Sequence, residues 1–253
     1  MKKLTIGAII RTAGERTLKL CIDSVLQHIL KKNIVTVMEA PFTAAMKKCV
    51  EIAKRKGWDK YLMIDADLIL TKNWRDIVEP FLGKETYGVY EHDFDVQDRF
   101  IGKTQKGIYL VNSKYDSLRM EMLEQTKDMT KPEGSIRHLM GKEGIDFSHA
   151  GDDIIGYHGF NQYKKDIFNT FALRALRNKD YIERYKLFKG KLSKEERVAR
   201  AGWKFGQSHP EMLKDFMDFT KKVDTEKMGW KEYDEVDYSL NMFYKLVEKL
   251  GVK

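Results

Sequence analysis

Tyr61-Leu62-Met63-Ile64-Asp65-Ala66-Asp67-Leu68 is the stretch whose reading decides the fold. An apolar run of this length, bounded by polar residues, suits a central parallel strand better than an amphipathic surface strand. The two carboxylates, one residue apart, cannot be core. They are left at the carboxyl edge of the strand, where open α/β sheets bind ligands. A carboxylate pair there can hold a hard divalent cation, and such a cation usually comes with phosphate oxygens. Acidic turns after strands are common, so taken alone the pair reads equally well as a solvated turn.

Upstream, Leu4 to Ile10 is a short apolar run with β-branched residues and reads as the first strand. The opening Met1-Lys2-Lys3 followed by apolar residues imitates a signal peptide, but Arg11 interrupts it and no cleavage site follows. Arg11-Thr12-Ala13-Gly14-Glu15-Arg16 is a polar turn. From Thr17 to Leu30, Leu18, Ile22, Val25, Leu26 and Ile29 recur at helical spacing. Ile34 to Met38 reads as a second strand ending at Glu39, Pro41 stops it, and Thr43 is placed to cap the helix Ala44 to Lys56, which Gly57 ends. This is β-α-β-α-β in the first 67 residues, and such alternation argues a parallel sheet with right-handed crossovers.

Downstream, Asn73 to Leu82 and Ser113 to Thr126 read as helices, and Tyr87 to Tyr90, Gly107 to Val111 and Ile154 to Tyr157 as short strands. Residues 128 to 151 read as a long loop, with Pro132 and glycines at 134, 141, 144 and 151. From Gln162 the pattern is helical, with breaks near Gly190, near Gly202 to Pro210 and around Gly229.

The 253 residues suffice for one large α/β domain with a C-terminal appendage, and 42% hydrophobic against 33% charged residues is ordinary for a soluble globular chain. No stretch approaches the roughly 20 apolar residues of a membrane span. Cys21 and Cys49 lie among apolar neighbours in helical patterns and read as reduced core thiols, which fits a cytoplasmic protein. The net charge of +8 is concentrated: residues 161 to 205 carry 13 Lys or Arg against 5 Asp or Glu, so the remainder sums to zero. Such a segment could meet nucleic acid, an anionic membrane or phosphorylated substrates, and a solvated helix face is the plainer reading.

Several segments together resemble the nucleotide-sugar glycosyltransferases of the GT-A fold, especially the family 2-like group. Ile9 to Arg16, followed by Leu18, Leu20, Cys21, Ile22, Ser24, Val25, Leu26 and Gln27, is similar to that group's opening strand, Thr- and Arg-containing turn and Ser-Val-Leu-x-Gln helix. The second helix then leads to Ile64-Asp65-Ala66-Asp67 as in the family. Gly107-Ile108-Tyr109-Leu110-Val111-Asn112 resembles the strand lining the sugar and acceptor site. His158-Gly159-Phe160-Asn161-Gln162-Tyr163 resembles the segment that supplies a further metal ligand. The resemblance covers about residues 1 to 178. It implies an α/β fold with a mostly parallel, Rossmann-like central sheet, a GT-A domain over 1–178, and a helical extension over 179–253. There are two departures. The acidic pair after the second strand is reduced to Glu39-Ala40, and the Glu-Asp ahead of the final helix is replaced by Gly151-Asp152-Asp153.

The resemblance implies a metal-dependent transfer of sugar from a UDP- or GDP-sugar. Negative charge builds on the leaving β-phosphate, and a divalent ion there stabilises it. Asp67 is expected to bind that ion directly, Asp65 to bind it through water or to hold the ribose, and His158 to complete the site. A mixed O/N set suits Mn²⁺ better than Ca²⁺, with Mg²⁺ also open. Thr12, Arg11 and Arg16 are expected at the base or phosphates, since a guanidinium can hold two phosphate oxygens, and Glu39 at the base or ribose. An inverting enzyme needs a base for the acceptor hydroxyl. Asp152 and Asp153 are the candidates, with Asp93 and Asp95 behind them. Lys164, Lys165, Arg174 and Arg177 are open to the donor diphosphate, a lipid-linked acceptor or an anionic membrane. The expected partners are the nucleotide sugar and a carbohydrate or lipid-linked acceptor, with peripheral membrane contact through residues 161–205, and not nucleic acid.

Three other readings compete. A haloacid dehalogenase-type phosphatase also uses Asp-x-Asp after a strand and a later Gly-Asp-Asp, but its nucleophile follows the first strand, and Ile69 stands where Thr or Val is usual. A nucleotidyltransferase would need a richer glycine loop than Ala13-Gly14. A non-enzymatic binder of anionic surfaces would depend steeply on salt and not on Asp65 or Asp67.

Overall fold

The computed structural model describes residues 4–83, 88–126, 132–177, 193–209 and 239–249. The chain divides into two compact units, Met1–Gln97 with Lys103–His158, and Asp98–Gly102 with Gly159–Lys253.

The first unit is built on a seven-stranded sheet in the order β2-β1-β3-β6-β5-β7-β4. The strands are β1 (Ile6–Arg11), β2 (Ile34–Val37), β3 (Lys60–Asp65), β4 (Leu68–Leu70), β5 (Val89–Asp98), β6 (Gly102–Asn112) and β7 (Asp146–His158). The β-α-β-α-β opening is present: β1 pairs in parallel with β2 and with β3. β6 then pairs antiparallel with β3, and β7 antiparallel with β4, so the sheet is mixed.

Helices α1 (Leu18–Leu26) and α3 (Trp74–Leu82) cover one face. Cys21, Val25, Trp74 and Val78 pack there on Ala8, Ile10, Leu62, Ile64, Phe94, Ile108 and Ile155. Helix α2 (Phe42–Lys56) covers the other, with Ala45, Cys49 and Ile52 against Ile9, Tyr61, Met63 and Val111. Beside it lie α4 (Asp116–Gln125) and α5 (Pro132–Lys142), joined to α2 through Met46, Val50, Met122, Leu123, Ile136 and Met140. Each apolar strand thus has both faces buried, as its near-continuous hydrophobic run requires. Gly57, at φ 62°, closes α2 with a left-handed cap. The helix begins at Phe42 after Pro41, so Thr43 lies inside it rather than at its cap.

The expected loop over 128 to 151 is corrected within its described part. Pro132–Lys142 is helical and Asp146–His158 is one thirteen-residue strand, of which Ile154 to Tyr157 is only the end. β5 and β6 are also far longer than the short runs expected. β7 changes phase at Gly151, whose φ is 101°. Ala150 and Ile155 meet the same apolar cluster although they stand five positions apart, an odd step. On the opposite side, His149 lies against Asp95, and Lys103 joins Asp95 to Asp152. A regular strand would place 149 and 152 on different faces; a glycine bulge restores them to one.

In the second unit, α6 (Lys164–Arg177) packs on α7 (Lys194–Ser208) through Phe168, Phe171, Ala172, Val198, Ala199 and Trp203. A Cβ on Gly202 or Gly206 would stand 2.2 Å from the carbonyl oxygens of Phe168 and Ala172, so the two glycines set the spacing. α7 therefore runs through both glycines and ends at Ser208, inside the break expected over Gly202 to Pro210. Ser193 and Glu196 form a reciprocal capping box at its start. Helix α8 (Leu240–Lys249) buries Phe243, Tyr244 and Val247. The expected breaks at Gly190 and Gly229, and much of the basic segment, lie outside the described residues.

Candidate active site

Sheet order places β1 between β2 and β3, so the path turns opposite ways from the ends of β1 and β3. That is the topological switch point at which open sheets form a ligand crevice. Arg11 ends β1, Asp65 ends β3, and the parallel register makes them direct neighbours.

Arg11 is buried, and its charge is balanced from two sides. Its Nε donates to Asp65 Oδ1 at 2.8 Å, Nη2 stands 2.7 Å from the same oxygen, and Nη1 donates to Glu133 Oε1 at 3.0 Å. Its guanidinium lies 4.7 Å from the Phe42 ring centroid and 5.8 Å from that of Tyr109. Arg11 is thereby committed to protein carboxylates. Burial pushes the Asp65 carboxyl up to about 7, against the opposing pull of Arg11 and with a further push from Asp67.

Asp67 meets His158 through the β4–β7 ladder, in which Leu68 pairs with His158. The Nε2 of His158 is 3.1 Å from Asp67 Oδ2. Asp65 ends β3, Asp67 precedes β4 and His158 ends β7. Asp67 and His158 are brought into contact, while Asp65 Oδ1 is taken up by Arg11, and among the described residues these three do not gather ligand atoms within 4.8 Å of one another. Two carboxylates and an imidazole are donors of the kind that a first-row divalent ion takes.

Thr12 Oγ1 donates to Glu15 Oε2 at 2.6 Å, and the backbone N–H of Ala13 donates to the same oxygen at 2.8 Å. The turn is therefore self-tied, and burial raises the Glu15 carboxyl. Arg16 is half-buried in this turn, and Glu39 is exposed beyond β2. Thr17 Oγ1 donates to the carbonyl of Ala66 at 2.8 Å and so braces the Asp-x-Asp turn from α1.

A second charged group shares this side of the sheet. Glu91, Asp93 and Asp95 alternate along β5 and are all buried. Arg137 of α5, one turn after Glu133, reaches Glu91 Oε1 at 2.7 Å and Asp93 Oδ2 at 3.0 Å. His149 Nδ1 is 2.9 Å from Asp93 Oδ1, and its Nε2 is 3.5 Å from Asp95 Oδ2. Lys103 Nζ stands 2.9 Å from Asp95 and 3.0 Å from Asp152. The Tyr109 ring borders both Arg11 and Arg137.

Asp95, His149 and Asp152 bring ligand atoms within 4.8 Å of one another. The Lys103 ammonium is already the cation among them, and it holds the fully exposed Asp152 carboxyl below the usual range. Asp153 is also exposed. Asp152 and Asp153 are therefore placed on the same long strand as His158, six and five residues away, rather than beside it. Sequence reasoning missed Glu15, Glu133, Arg137 and His149. The period-two spacing of Glu91, Asp93 and Asp95 was the available signal for the last two.

No protein-family model matches the sequence, and no curated protein does. Solved structures of similar chain path share little sequence. A glycosyltransferase involved in glycosylation of the major capsid of PBCV-1 is 11% identical, with 62% of this chain and 94% of that one covered, at a TM-score of 0.44. A mannosyltransferase of Pyrobaculum calidifontis, solved with GDP-Man and Mn²⁺, is 11% identical over 98% of this chain and 80% of that one, at 0.41. A cytidylyltransferase from Leptospira borgpetersenii serovar Hardjo-bovis is 10% identical over 93% of this chain and all of that one, at 0.42. These similar structures are two glycosyltransferases and a nucleotidyltransferase.

Proposed function

We propose that this protein is a metal-dependent glycosyltransferase that takes a sugar from a nucleoside diphosphate. The single observation that carries the reading is the meeting of Asp67 with His158 beside Asp65, at the carboxyl ends of the strands flanking the switch point.

Asp65, Asp67 and His158 would hold Mn²⁺ or Mg²⁺, and their mixed oxygen and nitrogen donors fit such an ion. When bound, the ion supplies Lewis-acid stabilisation of the diphosphate. The chain's own residues do the rest. Arg11 holds the Asp65 carboxyl in position. Thr12 and Arg16, in the turn after β1, line the side on which the nucleotide enters, and Glu39 stands beyond β2 for the ribose or base. The acceptor is a carbohydrate, free or lipid-linked.

Calorimetric titration with UDP, GDP and CMP, each with and without Mn²⁺, tests this on the wild type and on Asp67→Ala. Metal-dependent binding of one nucleotide, lost in the variant while the fold is kept, supports the reading. A folded wild type that binds none of the three overturns it.

A further inference from the structure

We propose that His149, oriented by Asp93, is the proton acceptor for the incoming hydroxyl, and that Asp95 with Lys103 forms the acceptor subsite beside it. The inference rests on the donor-site reading above.

Asp93 is 1% exposed, and its two oxygens are divided between Arg137 and His149. An ionised carboxylate only accepts, so Nδ1 of His149 carries the proton and Nε2 keeps its lone pair. Nε2 stands 3.5 Å from Asp95 Oδ2, an oxygen that the Lys103 ammonium meets at 2.9 Å. A ligand hydroxyl set beside this pair would donate to Nε2, while a neighbouring hydroxyl meets Asp95 or accepts from Lys103. The His149 side chain is one-third exposed, so the site is reached from solvent.

Position supports the assignment. Only β6 separates β3 from β5 in the sheet, so the two strands lie about 10 Å apart. Gly107 of β6 faces Asp65, where even a Cβ would stand 3.2 Å from Oδ2. Gly107 itself contributes no side chain between the Asp65 end and β5.

In the step, the acceptor O–H passes its proton to Nε2. The acceptor oxygen bonds to the anomeric carbon as that carbon's bond to the diphosphate oxygen breaks. The electron pair leaves with the nucleoside diphosphate, and the imidazolium, between Asp93 and Asp95, returns its proton to solvent. Asp152 suits this role less: it is open to solvent and held by Lys103, which makes it a weak base. The charged groups facing His149 are Asp93 and Asp95 from β5, Lys103 from β6 and Asp152 from its own strand, with Arg137 of α5 behind Asp93.

The test combines three readouts on wild type, His149→Gln and Asp93→Asn. Calorimetry with UDP and GDP plus Mn²⁺ reports the donor site. Hydrolysis of UDP-glucose and GDP-mannose, with water as acceptor, is followed from pH 5 to 9. Long-range ¹H–¹⁵N spectra report the His149 tautomer. We expect nucleotide binding unchanged in His149→Gln, hydrolysis lowered about 10²- to 10⁴-fold, and an Nδ1–H tautomer that Asp93→Asn disturbs. Unchanged hydrolysis in His149→Gln, or an Nε2–H tautomer in the wild type, overturns the inference while leaving the donor site standing. Should turnover be too slow to follow, the tautomer decides alone. Absence of nucleotide binding in the wild type removes the donor site and the inference with it.

Discussion

Arg11 donates from Nε to Asp65 Oδ1 at 2.8 Å, between residues that the parallel register of β1 and β3 sets side by side. The same guanidinium reaches Glu133, which lies 122 residues later in the chain. Removing a buried cation leaves its carboxylates facing each other, and burial has already raised Asp65. Both partners keep about a third of their side-chain exposure, which moderates the cost. Arg11→Ala is expected to lose about 2–3 kcal/mol of stability, read by urea denaturation. Arg11→Lys, a point charge without the fork, should recover part of it.

Gly107 carries φ 69° and faces the Asp65 carboxylate. Gly107→Ala adds a left-handed cost of about 1–2 kcal/mol and pushes against Asp65. Its melting temperature should fall, and Mn²⁺-dependent nucleotide binding should weaken about tenfold or more in calorimetry. A stability loss with binding intact would separate Asp65 from the donor site.

The pair Tyr61 and Asp116 predicts a pH dependence of stability. Tyr61 donates to Asp116 Oδ1 at 3.0 Å and accepts from Arg119 Nη1 at 2.9 Å, all three buried. Burial raises the Asp116 carboxyl to about 6, against the pull of Arg119. The folded state therefore holds this proton more tightly than the unfolded one. The contribution is full below about 4 and is lost as pH rises through about 6. Asp116→Asn should be flatter than wild type across that window, by on the order of 1–3 kcal/mol, in denaturation curves at pH 4.5, 5.5 and 7.

Gly206 stands against the carbonyl of Ala172 where α7 crosses α6. Gly206→Ala forces the two helix backbones apart, and its own gain in helix propensity, about 1 kcal/mol, is too small to offset this. We expect a net loss of about 2–3 kcal/mol, with faster amide exchange in α6 and α7. A more stable variant would contradict the close crossing.

Legibility from the sequence followed the physics of each strand. β1 and β3 announce themselves because both faces are apolar, and the Asp65-Ala66-Asp67 turn stands out against them. β5 did not, because Glu91, Asp93 and Asp95 look like loop residues until Arg137, Arg119 and His149 arrive to neutralise them. Their alternation with His92, Phe94 and Val96 is a strand period written partly in charge. β7 was cut short for a related reason: Gly151 and two aspartates imitate a turn, and the bulge breaks the period that would identify the strand. Glu133 was illegible, since nothing in its neighbourhood of sequence points to an arginine at position 11.

Gly151 also makes β7 a strand with two reading frames. The frame before it delivers His149 and the frame after it delivers Asp152, and the glycine is the one residue that the alternation does not count. Deleting Gly151 itself would leave a regular strand with both residues still on one side, whereas deleting any other single residue between His149 and His158 would exchange inside for outside along one half of the strand. The slack in β7 is therefore held at one position, and every other position between the two histidines is counted strictly.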